Sequence, residues 1–573
     1  MAATPAIGQS QPEAALSQLH ELAAKMKQFV PAQQQRFLSS SGQMLLNLPD
    51  NQQMLQKLRG RASQRQPAAP RSAPQGYAND PNAPEDFLSR FGGNTQNEPS
   101  TAWCGKTAVT GYVDTGSLIS SLVNPNPSHS ISIVGWSRTT DPDKKQPSYT
   151  DMGALVADPP PPGVTRRDII GDPTLGCSSS SNFYFGTTAA EFPTSGGFRT
   201  GVSVSRSTDG GQSFHSVMAA SADGGSHFFD KPWIAVEPGP TSSASDDIIH
   251  VTYTDFDNSG VNCGGVFCTA IEYVKSTDGG ATWTAPQVID KAVGFGISVF
   301  GSLVDAGSGG NVYVAWERFD PDYQTRSISI RRSVDDGASF GATSVVSSVV
   351  PTGNGTTMQG LFRNFVDLQG LKVDPSNKAV YVTWNDGRFA QQLDINSDCQ
   401  HQQKYCFASA LLAKSTDGGA TWSAPTRVDN GPVGQEVDRI QPALDVDSHG
   451  KLWSLYYDRL GAFEGVERNF RIEAVVAQSS DGGSSWTRKP VSSRFFPTKV
   501  DENTPPFYMG DYNWITTDKL NMYPGAIASW GDNDLGDANV RTVHVLPDQP
   551  KPSPKPDEHH HEHKPPKHEH HKD

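Results

Sequence analysis

One short motif recurs five times along the chain and limits the folds that this chain can adopt. Each copy has the form S-x-D-x-G-x-[ST]-[FW], and the copies run from Ser205 to Phe214, Val274 to Trp283, Arg331 to Phe340, Ala413 to Trp422 and Ala477 to Trp486. Their starts lie 57 to 82 residues apart, which is too far for a solenoid repeat and suits a four-stranded blade with variable loops. The chain is therefore predicted to repeat one β-sheet unit.

The residue types of the motif favour a tight turn between two strands. The Ser and Asp side chains can bond backbone groups within the turn, Gly supplies a positive φ, and the aromatic residue packs beneath it. Each copy follows an alternating run such as TAIEYVKS and precedes another short strand, so it joins the third and fourth strands of a unit. The 54 glycines and 42 prolines, about 17% of the 573 residues, also favour short strands and turns over long helices.

These motifs resemble the Asp-box, or bacterial neuraminidase repeat, family of β-propellers, whose best-known members are sialidases. The resemblance covers about residues 97–547 and includes recurrent first and second strands, such as DKPWIAVE with IIHVTYTDFD and LQGLKVD with AVYVTWNDGR. Seven such openings occur, so the resemblance implies an all-β, seven-bladed Asp-box β-propeller, with the six blades of sialidases as the alternative. The last opening reaches only a third strand, VRTVHV, and we expect a segment near the N-terminus to close the ring.

Composition and periodicity divide the chain into four segments. These are a short helical N-terminal segment (1–60), a linker (61–97), the β-propeller (98–547) and a disordered tail rich in His, Pro and Lys (548–573). The N-terminal helices are expected to cap the ring or to support self-association. The tail is expected to bind a transition metal weakly, through His559, His560, His561 and His563.

The six cysteines predict disulfides and an oxidising compartment. Cys263 with Cys268 and Cys399 with Cys406 each bracket a short loop, which leaves Cys104 to pair with Cys177. We therefore expect an extracellular or periplasmic protein, although the first thirty residues lack the apolar stretch of a signal peptide. No apolar run is long enough to span a membrane. The net charge of −14 argues against a nucleic-acid partner.

Ionisable residues gather where the second strands end, on the propeller face opposite the motif turns. They are Asp114, Glu191, Asp255, Asp257, Glu317, Arg318, Asp320, Asp386, Arg388, Asp458, Arg459, Asp532 and Asp534. The starts of the first strands add Glu98, Asp172, Asp230 and Asp511. An Asp at a strand end commonly caps the turn that follows, but so many charges on one funnel-shaped face predict the ligand-binding face.

The resemblance to sialidases implies roles for several of these residues. Sialidases bind the substrate carboxylate with three arginines, which here are expected to be Arg318, Arg388 and Arg459. Their Tyr nucleophile would be Tyr512 or Tyr457, the Glu that activates it Glu464 or Glu467, and the acid Asp114, Asp172 or Asp230. Further substrate contacts are expected from Asp386, Asp458 and Asp511. The Arg-Ile-Pro string of sialidases is absent from this chain.

Two functional hypotheses follow. The first is a sialidase-like glycoside hydrolase that cleaves a glycan or glycoprotein at the funnel and requires no cofactor. The second is a non-catalytic propeller whose acidic face binds a glycan, a protein or Ca²⁺. An enzyme needs a nucleophile within reach of an acid and the arginines, whereas in a binding module these side chains would pair with one another.

Overall fold

A computed structural model describes most of the chain. The described residues are 11–35, 38–39, 42, 46, 70–80, 96–114, 116–117, 130–241, 243–260, 263–320, 325–352, 357–358, 362–363, 366–391, 406–429, 437–459, 471–498, 510–536 and 538–548. Glu464, Glu467, Cys399 and the histidines of the tail lie outside them. No helix among the described residues is long and apolar enough to cross a membrane.

Among the described residues, seven antiparallel sheets of three to five strands form the ring, which confirms the prediction of seven blades. Blade 1 contains Asn97–Cys104, Thr107–Val113, Val134–Thr139 and Thr150–Ala154; blade 2 contains Val164–Cys177, Phe183–Pro193, Arg199–Ser207 and His215–Asp223; blade 3 contains His227–Glu237, Ile248–Asp257, Cys268–Ser276 and Gln287–Val293; blade 4 contains Ser298–Gly307, Asn311–Asp320, Thr325–Ser333 and Ser344–Val349. Blade 5 contains Leu368–Val373, Val380–Asp386, Ser409–Ser415 and Thr426–Arg427; blade 6 contains Arg439–Val446, Leu452–Asp458, Arg471–Ser479 and Thr487–Pro490; blade 7 contains Trp514–Thr517, Ala526–Asp532 and Asn539–Val545.

A few short elements lie outside this scheme. They are a small hairpin of Thr357–Met358 and Phe362–Arg363, the strand Phe496–Pro497 on the third strand of blade 6, the strand Arg71–Ser72, a 3₁₀ turn at Ala244–Asp246, and the helices α1 (Gln11–Phe29), α2 (Ala32–Gln35) and α3 (Arg388–Gln391). The first strand of each blade contacts the first strands of its two neighbours, including blade 7 with blade 1. The first strands therefore surround a common axis.

The ring closes through the segment before blade 1, as the incomplete last blade predicted. The Ala78 N–H donates to the Val540 carbonyl, and the Thr542 N–H donates to the Gly76 carbonyl, so residues 76–78 act as the fourth strand of blade 7. Arg71–Ser72 pairs with the outer strand of blade 1. Part of the predicted linker is thus structural, because a Pro- and Ala-rich extended segment can serve as an edge strand.

The five motif turns have one shared geometry. In the copy at blade 5, the Ser415 hydroxyl donates to Asp417 over 2.8 Å and accepts the Gly419 N–H over 2.8 Å. Asp417 in turn accepts the Thr421 N–H over 2.9 Å and its hydroxyl over 2.5 Å. These bonds lower the pKa of Asp417 to about 2. The turns follow the third strands, so they lie on the face opposite the second-strand ends.

Two of the predicted disulfides are present. Cys104–Cys177 links the first strands of blades 1 and 2, and Cys263–Cys268 closes the loop between the second and third strands of blade 3. Cys406 is also disulfide-bonded, and its predicted partner Cys399 lies outside the described residues. Disulfides are compatible with an extracellular protein.

Candidate active site

The first strands carry a bulge at a common level near the axis. Register shifts interrupt the pairing of first and second strands in blades 1 to 6. At these shifts Glu98, Asp172, Lys231 and Gln441 adopt positive φ angles of 51°, 53°, 50° and 54°. Non-glycine residues rarely adopt this conformation, and such strained residues cluster at functional sites.

Bulge residues of blades 1, 3 and 5 meet Asp511, which precedes the first strand of blade 7, and contacts between such distant blades are possible only near the axis. The Asp511 N–H of blade 7 donates to Glu98 of blade 1 over 2.7 Å. The Gln369 amide of blade 5 donates to the Asp511 carbonyl over 3.2 Å, and the Lys231 ammonium of blade 3 lies 3.9 Å from the Asp511 carboxylate. Four carboxyl groups and one ammonium therefore share the axis. We call Glu98, Asp172, Asp230, Asp511 and Lys231 the axial cluster.

Burial dominates the electrostatics of the axial cluster. It raises the pKa of Asp172 well above its usual value, and the neighbouring Asp230 and Glu98 carboxylates raise it further, while Lys231 opposes them. Burial also raises the pKa of Asp230, but hydrogen bonds from Ser39 and the charge of Lys231 favour its ionised form. The two adjacent carboxyl groups thus have different environments, and the neighbouring carboxylates favour the protonated form of Asp172.

Ser39, from the N-terminal segment, bridges these two carboxyl groups. Its N–H donates to Asp230 over 2.7 Å and its hydroxyl donates to Asp172 over 2.9 Å. Ser39 and both acids are at most 1% exposed. The N-terminal segment therefore occupies the space directly in front of the axial carboxyl groups.

Apolar contacts hold the N-terminal segment on the funnel face. Its buried side chains belong to the same hydrophobic cluster as residues of blades 1 to 4; they are Leu22, Met26, Phe29, Val30, Leu38 and Leu46. The Gln34 amide donates to the Ile297 carbonyl over 3.1 Å, and the Lys25 ammonium lies 5.3 Å from the centre of the Phe198 ring. Capping of the ring, one of the two roles expected for these helices, is what this chain shows.

Tyr512 borders the axial cluster, but its hydroxyl is already bonded. The hydroxyl donates to the Pro173 carbonyl over 2.9 Å, and the Lys231 ammonium lies 4.8 Å from the ring centre. Trp233 and Trp514 pack beside the ring. Tyr457, the other candidate nucleophile, donates its hydroxyl to the Gly531 carbonyl over 2.7 Å. Both hydroxyls thus donate to backbone carbonyls.

The three predicted clamp arginines are held by different partners. Arg318 bonds Asp320 over 2.8 Å and Asp290 over 3.2 Å. Arg388 bonds Asp386 and the Ser347 hydroxyl, and the side chain of Arg459, 1% exposed, pairs with Asp438 over 3.2 Å. The partners Asp290 and Ser347 belong to the outer strand of the preceding blade, so Arg318 and Arg388 link neighbouring blades.

Three predicted acids also have local roles. Asp114 accepts the Gly116 N–H and the Gln96 amide over 2.9 Å each, and it also accepts the Ser117 hydroxyl. Asp386 accepts the Trp384 indole N–H over 2.9 Å, and Asp458 pairs with Arg439 over 3.1 Å. Of the acids predicted from sequence for catalysis or substrate binding, the structure brings Asp172, Asp230 and Asp511 together.

Sequence reasoning missed two members of this site. Lys231 follows the candidate acid Asp230 in the first-strand opening DKPW. This neighbouring position was the only local feature of the sequence that could have indicated a role for Lys231. Ser39 lies in a segment with no motif, 191 residues from Asp230, so no local pattern could place it at the axis.

A cavity lies along the axis on the side of the motif turns. It has a volume of about 450 Å³ and is lined by residues of the first strands, among them Trp233 and Trp514. Two of its acids pair with lysines: Lys519 bonds Asp445 over 2.6 Å, and Lys372 lies 3.6 Å from Asp305. The axial cluster lies at the other end of the axis, the funnel end.

Comparisons with known proteins find only distant structural similarity. No family model and no curated protein matches the chain. A solved polysaccharide lyase of family PL25, an ulvan lyase, is 11% identical with a TM-score of 0.45, over 82% of this chain and 96% of its own. An α-L-arabinanase of Penicillium chrysogenum is 10% identical (TM-score 0.40; 84% and 99%), and a Trypanosoma rangeli sialidase is 13% identical (0.35; 65% and 53%).

Proposed function

We propose that this chain is a glycoside hydrolase whose acid and base are Asp172 and Asp230. The observation that carries the proposal is the bridge made by Ser39, whose hydroxyl and N–H bond one carboxyl group each. A sugar would present hydroxyl and glycosidic oxygens to the same two groups. Most glycoside hydrolases use two carboxyl groups with different proton affinities.

The roles follow from the two environments. Asp172, whose pKa burial and two neighbouring carboxylates raise, holds the proton that the leaving oxygen requires. Burial raises the pKa of Asp230 as well, but Lys231 and backbone N–H groups favour its ionised form, in which it would activate water or attack the sugar. This assignment does not use the Tyr nucleophile of sialidases, because the Tyr512 and Tyr457 hydroxyls are bonded to backbone carbonyls.

The charge of the site favours a neutral glycan over a sialoside. Four carboxyl groups face one ammonium in the axial cluster, and the clamp arginines pair with other acids. Such a site repels the carboxylate of sialic acid. A neutral glycan or glycoprotein outside the reducing cytoplasm is the substrate that we propose, since the disulfides require an oxidising compartment.

The test is hydrolysis of aryl glycosides by the full chain and by Asp172→Asn and Asp230→Asn. Neutral glycosides and an aryl sialoside are assayed in parallel, in a Met26→Asp background that weakens the N-terminal cover. Loss of a general acid or base should lower kcat by about 10²–10⁴-fold. Asp223→Asn, an exposed acid at the end of blade 2, is the matched control and should retain activity.

The outcomes separate the competing functions. Hydrolysis of the sialoside alone would contradict the substrate class, and activity that survives in both axial variants would contradict the site. A non-catalytic binding propeller is the second candidate, because Ser39 donates one hydrogen bond to each acid, as a bound ligand could. Glycan binding without hydrolysis would select that candidate.

A further inference from the structure

Three metal-ligating side chains meet at the funnel end of blade 3, outside the axial cluster. His227 begins the first strand, and Asp255 and Asp257 end the second strand. Alternate residues of a strand point to one side, so the two aspartates of the string TDFD share a face. The antiparallel register places His227 directly opposite Asp257. The local strand pairing alone therefore brings the imidazole to both carboxyl groups.

The distances suit two ligands and an orienting bond. His227 Nδ1 lies 2.9 Å from Asp255 Oδ2, a contact that fixes the tautomer and the ring orientation, as carboxylates do beside metal-bound histidines. Nε2 lies 3.7 Å from Asp257 Oδ1, which is too long for a hydrogen bond. Two ligands at about 2.0–2.2 Å from one ion have such a separation. One ligand atom from each of the three residues lies within 4.8 Å of the others.

A second observation points to a missing partner at this place. Asp255 Oδ1 and Asp257 Oδ2 are buried and accept no hydrogen bond, and the two residues are 1% and 0% exposed. Leaving a buried carboxylate oxygen without a partner is costly, and coordination of a metal is one of the few ways to compensate for it. The other oxygen of Asp257, Oδ1, accepts the Ser259 N–H over 2.6 Å, which fixes this carboxylate beside His227.

The surroundings keep these ligands in place. The disulfide Cys263–Cys268 closes the neighbouring loop, and a sulfur of each cysteine lies within 4.8 Å of an Asp257 oxygen. As a disulfide, these sulfurs are not thiolate ligands. Glu272 of the adjacent strand adds negative charge and accepts the Tyr253 hydroxyl over 2.7 Å. The site is thus rigid, acidic and built from nitrogen and oxygen donors.

We propose that His227 and Asp257 bind one divalent transition-metal ion of the Zn²⁺ class, with Asp255 orienting the imidazole through Nδ1. The imidazole selects this class, since Ca²⁺ takes six to eight oxygen ligands and imidazole suits Zn²⁺, Ni²⁺ or Cu²⁺. The ion differs from the Ca²⁺ that the acidic face suggested in the sequence. The proposal is independent of glycoside hydrolysis, because its ligands are not the axial acids.

Because the His-rich tail is also expected to bind Zn²⁺ weakly, the assay must respond to the site in blade 3 and not to the tail. A ligand raises the melting temperature only when it binds the folded state better than the unfolded state. The tail, which the sequence predicts to be disordered, would bind Zn²⁺ equally in both states. A Zn²⁺-dependent rise in Tm therefore reports a site that requires the fold.

The experiment compares the full chain with His227→Gln and Asp257→Asn by thermal unfolding, with Zn²⁺ or with EDTA. We expect Zn²⁺ to raise the Tm of the unaltered chain and to have no such effect on either variant. His215→Gln is the control, because His215 also contacts an aspartate, Asp158, but is 75% exposed; its Zn²⁺-dependent rise should persist.

Calorimetric titration with Zn²⁺ gives a second measure in case a variant is less stable. The unaltered chain should bind one more equivalent of Zn²⁺ than His227→Gln, while the tail sites remain common to both. Absence of a Zn²⁺-dependent rise in Tm of the unaltered chain would overturn the proposal. A rise or a stoichiometry that is the same in all four proteins would overturn it as well.

Discussion

Replacing Met26 with Asp should release the N-terminal segment from the funnel. The Met26 side chain is 0% exposed and lies in the hydrophobic cluster that joins α1 to the blades. Burying a Met side chain contributes about 1.5–3 kcal/mol, and a carboxylate in its place must be solvated or neutralised. A loss of about 3 kcal/mol in docking energy raises the ratio of open to closed molecules roughly 150-fold.

Two assays follow this change. Limited proteolysis should cut residues 11–46 faster in Met26→Asp, because cleavage tracks the population of the open form when opening is fast. Hydrolysis of a neutral aryl glycoside should increase with the open population. Gln28→Asp places the same charge on the exposed side of α1 and should leave both rates unchanged.

Two results would contradict this prediction. Equal proteolysis of Met26→Asp and the unaltered chain would show that the apolar contacts do not hold the segment. Faster proteolysis without any gain in hydrolysis would show that the segment is not what limits access to Asp172 and Asp230, and the axial cluster would lose its proposed role.

Three further predictions concern stability. Ser415→Ala removes the acceptor of the buried Gly419 N–H and should cost about 1–3 kcal/mol, while Asp417→Ala should also lower the Tm; neither should change turnover by the folded fraction. Replacing both Cys104 and Cys177 with Ser removes the disulfide that closes a loop of 73 residues. According to the chain-entropy model, this should lower the free energy of unfolding by about 4 kcal/mol. The double variant should therefore have a lower Tm, and an unchanged Tm would contradict the prediction. Burial raises the pKa of Asp151 to about 6, so the folded state binds this proton more tightly than the unfolded state. The protein should therefore lose stability as the pH rises from about 4 to 6. Asp151→Asn should flatten this part of the curve of Tm against pH, and an unchanged slope would contradict the raised pKa.

The blade repeat was readable from the sequence because its chemistry is local. In the motif turn of blade 5, the bonds that Ser415 and Asp417 make join groups no more than four residues apart. The same applies to His227 with Asp255 and Asp257, which strand pairing brings together within blade 3, although the sequence did not single out the histidine. Local hydrogen bonds and the alternation of strands therefore determined the fold class and the number of openings.

The site could not be predicted in the same way, because segments that are far apart in the sequence form it. Asp172, Asp230 and Asp511 were on the expected face, but so were Asp114, Asp386 and Asp458, and no pattern separates the two sets. The arginines illustrate the reason: Arg318 and Arg388 each have an acid two residues away, and pairing with it avoids leaving a half-buried charge uncompensated.

The sequence by itself determined the turns, the blades and the acidic face, whereas the tertiary structure decided which acids work together. Ring closure brings Asp511 of the last blade to Glu98 of the first, 413 residues away. Bulges with positive φ place Asp172 and Lys231 at the axis, and a segment outside the ring supplies Ser39 between two of the carboxyl groups. These contacts depend on the packing of whole blades around one axis, and no hydrogen bond within a few residues encodes that arrangement.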